Sequence, residues 1–216
     1  KYDEAIKYYD KIFALNSTEI DSLNHKGLAL WELHKYNEAL SCFNQILAID
    51  SSNLKALNNK GLALLGLQKN EEAIQYFDKL LTMNSSDIYA LINKGGALLG
   101  LQKYEEAIQY FDKVLSMNSS DVYAINNKAK ALAEIGNNEQ ALSVIEKTVR
   151  ENPDDEYLQS TMAFILGNMG KYDEARVYYE KALKINSNLT KILYEKELDV
   201  FNKIRGNTTT LPQQQQ

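Results

Sequence analysis

A chain of 216 residues with 44% apolar and 25% charged side chains has the balance of an ordinary globular protein, and its net charge of -5 argues against a phosphate-binding surface. No stretch has the apolar length needed to span a bilayer. The first residues do not read as a signal peptide, so none is expected, and a single cysteine, Cys42, excludes an internal disulfide and favours a reducing, cytoplasmic compartment.

Residues 1–19 read as one amphipathic helix with Ala5, Ile6, Tyr9, Ile12 and Phe13 on a single apolar stripe. That stripe should be exposed, because the helix that would cover it is missing. A piece of a longer array, which the missing initiating methionine favours, or an end covered by a partner or a second copy, would account for it. From residue 20 onward the sequence repeats with a period of about 34 residues. The full repeats are 20–53, 54–87, 88–121, 122–155 and 156–189, and residues 1–19 match the second half of one. Segment 54–87 returns almost verbatim as 88–121.

Each repeat reads as two helices. The linkers Asp50-Ser-Ser-Asn53, Asn84-Ser-Ser-Asp87 and Asn118-Ser-Ser-Asp121 supply side-chain oxygens that can cap the next helix. Asn-x-Ser/Thr triplets at Asn16, Asn84, Asn118, Asn188 and Asn207 read as capping chemistry rather than glycosylation acceptors. In the repeat 88–121 the first helix is expected over 89–101, a turn at Gln102 and Lys103, and the second helix over 104–117. Glu105 and Glu106 stand in its first turn, where the helix dipole favours them. Ala107, Phe111, Val114 and Leu115 fall at helical spacing on its inner face. Residues 190–205 form a last amphipathic helix, with Leu193, Tyr194, Leu198, Val200, Phe201 and Ile204 inward and Lys191, Glu195, Asp199 and Lys203 wet, the pattern of a solubilising cap. Residues 206–216, a polar stretch ending in glutamines, are expected to be disordered.

Small residues recur in the first helices at Gly27, Gly61, Gly95, Ala129 and Ala163, and an alanine recurs in the second at Ala5, Ala39, Ala73, Ala107, Ala141 and Ala175. One turn later stands a large residue: Tyr9, Phe43, Phe77, Phe111, Ile145 or Tyr179. A tyrosine opens the second helix at Tyr2, Tyr36, Tyr104 and Tyr172, with Asn70 and Asn138 as departures. This pattern resembles the tetratricopeptide repeat over residues 1–189 plus a terminal helix. The resemblance implies an all-α chain, a right-handed superhelical α-solenoid of stacked helix-turn-helix repeats. In physical terms, small residues let two helix backbones approach and the aromatic fills the space beside them.

The family pattern is not followed everywhere. Its linker proline survives only at Pro153, and the glycine closing the first helix survives at Gly136 and Gly170 but is replaced by His34, Gln68 and Gln102. Gly66 and Gly100 fall inside first helices, where each should cost about 1 kcal/mol against alanine and loosen the helix. Lys26, Lys60, Lys94 and Lys128 stand where the family usually has leucine, so their stems should pack while their ammonium groups reach water.

No catalytic constellation emerges, and the expectation is a non-enzyme without cofactor or metal. His25 and His34 have no ligand partner at metal spacing. The run 95–100 lacks the Lys-Ser/Thr of a phosphate loop. Cys42 falls on the core side of its helix.

The resemblance places the first helices on the concave wall, where equivalent positions form columns. One reads His25, Asn59, Asn93, Asn127, Thr161; its neighbour reads Asn24, Asn58, Ile92, Asn126, Ser160; a third, one turn earlier, reads Asp21, Lys55, Tyr89, Tyr123, Tyr157. Further along lie Leu28, Leu62, Gly96, Lys130 and Phe164, then Trp31, Leu65, Leu99, Ala133 and Gly167. An amide offers a donor and an acceptor together, matching the N–H and C=O of an extended peptide. The asparagine columns are similar to the ladder lining the tetratricopeptide arm of O-GlcNAc transferase; alternatively they bond neighbouring helices. The tyrosines offer flat amphipathic contacts, or pack on the next repeat. A basic clamp for chaperone tails is disfavoured, since no arginine joins Lys55 and Lys130 on this face.

The expected site therefore comprises Asn24, Asn58, Asn59, Asn93, Asn126 and Asn127, flanked by Tyr89, Tyr123, Tyr157 and Lys130. The expected function is a non-catalytic scaffold binding an extended peptide segment of a protein partner in its groove, with neither nucleic acid nor membrane as partner. The alternatives are the recognition arm of a larger enzyme such as a transferase, or a module that self-associates through its uncovered N-terminal helix. Between the near-copies 54–87 and 88–121, the exchanges Lys55/Tyr89, Asn58/Ile92 and Leu62/Gly96 fall on the inner wall, while Leu80/Val114 is a core exchange. The packing was kept and the groove varied, which favours binding.

Overall fold

The computed structural model describes residues 2–15, 19–187, 195–204 and 206. All regular structure among them is α-helical: α1 (Tyr2–Leu15), α2 (Ile20–Glu32), α3 (Tyr36–Ile49), α4 (Leu54–Gly66), α5 (Asn70–Met83), α6 (Ile88–Gly100), α7 (Tyr104–Met117), α8 (Val122–Glu134), α9 (Asn138–Glu151), α10 (Glu156–Asn168), α11 (Tyr172–Ile185) and α12 (Glu195–Ile204). Expected boundaries are met to within a residue in the repeat 88–121. The stretch 207–216, expected to be disordered, lies outside the described residues.

Local chemistry explains why the helices start where they do. Asn53 caps α4 through the N–H of Ala56 at 3.0 Å, Asp87 caps α6 through Ala90 at 2.8 Å and Asp121 caps α8 through Ala124 at 2.9 Å. The first residues of the same linkers fold the turn: Asp50, Asn84 and Asn118 accept the N–H of Ser52, Ser86 and Ser120. The second helices α3, α5, α9 and α11 lack a side-chain cap. They follow a shared tight turn instead. His34, Gln68, Gln102, Gly136 and Gly170 adopt left-handed φ of 58°, 59°, 58°, 85° and 75°. The next N–H reaches back to the last turn of the helix, as Lys35 does to the carbonyl of Leu30 at 2.9 Å and Lys103 to that of Leu98 at 2.9 Å. This is the Schellman closure.

The chain divides into two compact units, residues 1–113 and 114–216. In the first, each helix from α1 to α6 packs on its sequence neighbour, and the first helices α2, α4 and α6 also touch in succession. In the second, α8, α9, α10 and α11 pack consecutively, α8 touches α10, and α12 rests on α10 and α11. This is the α-solenoid class, with a core that extends repeat by repeat.

The core recurs in each hairpin. Phe43, Phe77 and Phe111 are fully buried. A Cβ built on Gly27, Gly61 or Gly95 would stand 2.5 Å from the Cε1 of the respective ring, so only glycine admits the aromatic at that crossing. Cys42 is buried in the cluster around Phe43 and Ile46, and burial pushes its thiol pKa up. It is a core residue.

Gly66 ends α4, where the sequence implied a loosened helix. An alanine Cβ there would lie 2.6 Å from the Tyr36 ring, and one at Gly100 would lie 2.6 Å from the Asn70 amide. The comparison with alanine therefore does not apply, because glycine is what lets the side chain opening α3 or α5 lie against the helix end. Gly66→Ala is expected to destabilise by about 1 kcal/mol, the displaced ring outweighing the gain in helix propensity. An unchanged or raised urea midpoint would show that Tyr36 moves aside freely.

The periodically spaced lysines do more than carry their charge to water. Lys26 pairs with Asp10 and Lys94 with Asp78, in each case reaching the second helix of the preceding repeat. Lys60 finds Asn44 in the equivalent place and lies 4.5 Å over the Tyr76 ring, while Lys94 also lies 4.6 Å over that of Tyr110. Burial alone would lower the Lys94 pKa, but hydrogen bonds to Asp78 and Tyr110 leave it raised, and the Asp10 hydrogen bond raises that of Lys26.

The N-terminal end differs from expectation, and the C-terminal helix follows it at its described residues. The α1 stripe is half-buried at Ala5, Ile6, Tyr9 and Ile12, because α2 packs on it and His25 stacks on Tyr9 at 5.6 Å; the Phe13 side chain lies outside the described residues. At the other end Val200, Phe201 and Ile204 are buried, with Phe201 stacked on Tyr179 at 4.5 Å, while Asp199 and Lys203 stay exposed and pair at 2.7 Å. Lys191, Leu193 and Tyr194, and the side chains of Glu195 and Leu198, lie outside the described residues. The largest departure is α10. Ser160, Thr161, Phe164 and Gly167 were expected on the open inner wall but are buried. α12 rests on this helix, and a Cβ on Gly167 would stand 2.3 Å from Val200 Cγ1.

Candidate functional site

In the first unit the asparagines link successive first helices. Asn59 Nδ2 on α4 donates to Asn24 Oδ1 on α2 at 2.9 Å, and Asn93 Nδ2 on α6 donates to Asn58 Oδ1 on α4 at 3.0 Å. A longer bond, Asn58 Nδ2 to Asn59 Oδ1 at 3.4 Å, joins the two pairs into a relay. An amide has two N–H donors and two acceptor lone pairs, so the relay fixes each orientation and still leaves donor and acceptor capacity. Beside it lies a recess of about 420 Å³ whose wall includes Asn24, Leu28, Lys55, Asn58, Asn59 and Tyr89. Asn93 reaches this recess only through its bond to Asn58. His25 serves locally, its Nδ1 lying 2.7 Å from the Asp21 carbonyl.

The second unit brings Tyr123, Asn126, Asn127 and Tyr157 together around a recess of about 430 Å³, completed by Val122, Asp155 and Leu158. Here the relay is broken. Thr161 occupies the position from which Asn59 and Asn93 donate in earlier repeats, and Asn126 Oδ1 is occluded with no hydrogen-bond partner. Asp155, which the sequence did not single out, caps α10 and is also part of the wall. Its Oδ1 accepts the N–H of Tyr157 and of Leu158, both at 3.0 Å. The Tyr157 hydroxyl pKa is raised, chiefly by burial and then by the nearby Glu156, Asp155 and Tyr123. Lys130 lies two turns along α8, half-buried and outside the recess.

The tyrosines do not pack away. Tyr89 is 77% exposed, Tyr123 70% and Tyr157 53%. Among the described residues no group of three or more His, Cys, Asp or Glu side chains could hold a metal ion, and no helix is long and apolar enough to cross a membrane. Each unit presents polar amides and exposed aromatic rings on the first helices of stacked hairpins.

That combination defines a repeat-built scaffold of the kind used for protein–protein interaction. The chain belongs to the tetratricopeptide repeat family: models of that repeat match residues 25–88, 98–164 and 158–189. No curated protein matches it. Among solved structures it is similar to a tetratricopeptide repeat protein from Parabacteroides merdae, at 24% identity and a TM-score of 0.79, over 93% of this chain and 77% of that one. It is also similar to a thermophilic tetratricopeptide repeat protein from Thermus thermophilus, at 19% identity and a TM-score of 0.71, over 87% and 97%. MamA from Desulfovibrio magneticus aligns at 18% identity and a TM-score of 0.62, over 85% and 96%. At these identities the likeness is one of fold.

Proposed function

We propose that this chain is a non-catalytic scaffold that holds an extended segment of a partner protein along its first helices. The observation that carries the reading is the exposure of Tyr89, Tyr123 and Tyr157 on the first helices α6, α8 and α10, the first two of which also carry Asn93, Asn126 and Asn127. An aromatic ring left in water at equivalent positions of successive repeats offers area for a partner at low entropic cost. The asparagine relay supports it further, because amides already oriented by one another lose little freedom when they bind a peptide backbone. The net charge of -5 speaks for a protein partner over nucleic acid, and the buried Cys42 thiol suits a reducing cytoplasm.

A peptide array probed with the wild-type chain and with the Asn59→Ala, Asn93→Ala, Asn127→Ala triple variant tests this. The triple variant should bind about tenfold or more weakly across unrelated sequences, since several hydrogen bonds worth about 1 kcal/mol each are removed. Circular dichroism checks that the helices persist. Equal binding by both proteins would remove the asparagines from the site, and an array with no bound peptide would remove the groove reading altogether.

A further inference from the structure

We infer that the recess formed by α8 and α10 receives a basic side chain, arginine or lysine, of the bound segment; this rests on the peptide-binding reading above. The wall supplies acceptors and ring faces and carries no cation of its own. Two exposed tyrosines, Tyr123 and Tyr157, line it, and an aromatic face attracts a guanidinium or ammonium group. The hydrogen bonds by which Asp155 caps α10 both use Oδ1, so the charge and Oδ2 remain for a ligand. Asn126, whose occluded Oδ1 is orphaned by the threonine at 161, lines the same wall.

The start of α10 would ordinarily favour an anion. Here Asp155 and Glu156 already occupy that end of the helix, so an incoming carboxylate or phosphate meets like charge. The comparison within the chain sharpens the point. The recess of the first unit has the equivalent cap carboxylate, Asp87, but the column of Lys55 and Tyr89 places a lysine on the same wall, which offsets that charge and competes with a basic side chain. In the second unit the same column reads Tyr123 and Tyr157, exchanging that cation for a ring. A planar guanidinium with its fan of N–H donors suits aromatic rings and a carboxylate together.

The test uses the full chain and fluorescent peptides of twelve residues in mixed background sequences. Each is made with arginine, its neutral isostere citrulline, lysine, norleucine or glutamate at one central position. Arginine peptides should bind about 5–10-fold more tightly than citrulline peptides, a preference that weakens with added salt. Asp155→Asn should erase most of that preference while keeping the capping oxygen and helix content, because asparagine caps as well as aspartate does; Tyr157→Leu should reduce it too. Peptides that bind with no preference for arginine over citrulline, or that favour glutamate, would overturn the basic pocket and leave the scaffold reading standing. Failure of every peptide to bind would overturn both.

Discussion

Phe77→Ala is expected to cost about 3–5 kcal/mol, the range for truncating a fully buried aromatic, and to do so locally. The ring is completely buried at the crossing of α4 and α5, in a cluster with Leu57, Leu64, Ala73 and Leu80. The hole it leaves cannot be filled by sliding α4 inward without breaking the packing of α4 on α3. Because each repeat is stabilised by its neighbours alone, the loss should appear first as faster amide exchange in α4 and α5, while α10 and α11 keep their protection. Uniform loss of protection over every helix would show that the array behaves as a single cooperative body. A companion substitution isolates the contact. Gly61→Ala places a methyl 2.5 Å from the Phe77 ring and should cost about 1–3 kcal/mol in the wild type. In the Phe77→Ala background the same change should be neutral or gain up to about 1 kcal/mol from helix propensity. Additive effects in that cycle would refute the geometric coupling.

The reach of the sequence follows from how far apart in the chain each determinant lies. The caps at Asn53, Asp87 and Asp121 act within three residues, so their linkers announced them. Phe43, Phe77 and Phe111 against Gly27, Gly61 and Gly95 recur with the period, so the core was readable from the repeat alone. Gly66 misled because its partner, Tyr36, belongs to the preceding hairpin. Its value lies in an approach between helices that propensity scales do not contain. The carboxylate partners of Lys26 and Lys94 were hidden for the same reason, standing sixteen residues earlier on another helix.

In the candidate site the columns of asparagine and tyrosine were visible, and their bonding was not. Asn59 and Asn24 sit thirty-five residues apart, one more than the repeat of about 34, so the relay crosses from one column to its neighbour. That offset also explains why Thr161 leaves Asn126 Oδ1 unpaired, a fact that neither residue signals alone. The burial of Ser160 and Thr161 within α10 depends on tertiary packing around that helix, including α12. A terminal helix breaks the periodicity on which the column argument rests, and the groove reading fails where the repeat ceases to be followed by another.

Replacing His34, Gln68 and Gln102 by glycine is expected to stabilise the fold, by about 2 kcal/mol for the three together. All three hold φ near +58°, in the left-handed region where Gly136 and Gly170 serve the corresponding turns. A side chain there costs about 1–2 kcal/mol, and glycine returns part of that gain, about 0.5–1 kcal/mol, through the freedom of its unfolded chain. The net effect at Gln68 or Gln102 is therefore a gain of somewhat under 1 kcal/mol. His34 should give less, since its Nδ1 lies 2.7 Å from the Tyr36 hydroxyl and that contact would be lost. The backbone bonds that close each turn run from the following N–H to the preceding helix and need no side chain at this position. Urea midpoints should rise with an unchanged slope, Gln68→Gly and Gln102→Gly contributing equally because their turns are copies. A fall in midpoint for either glutamine variant would mean that its side chain anchors the turn more strongly than the left-handed backbone strains it.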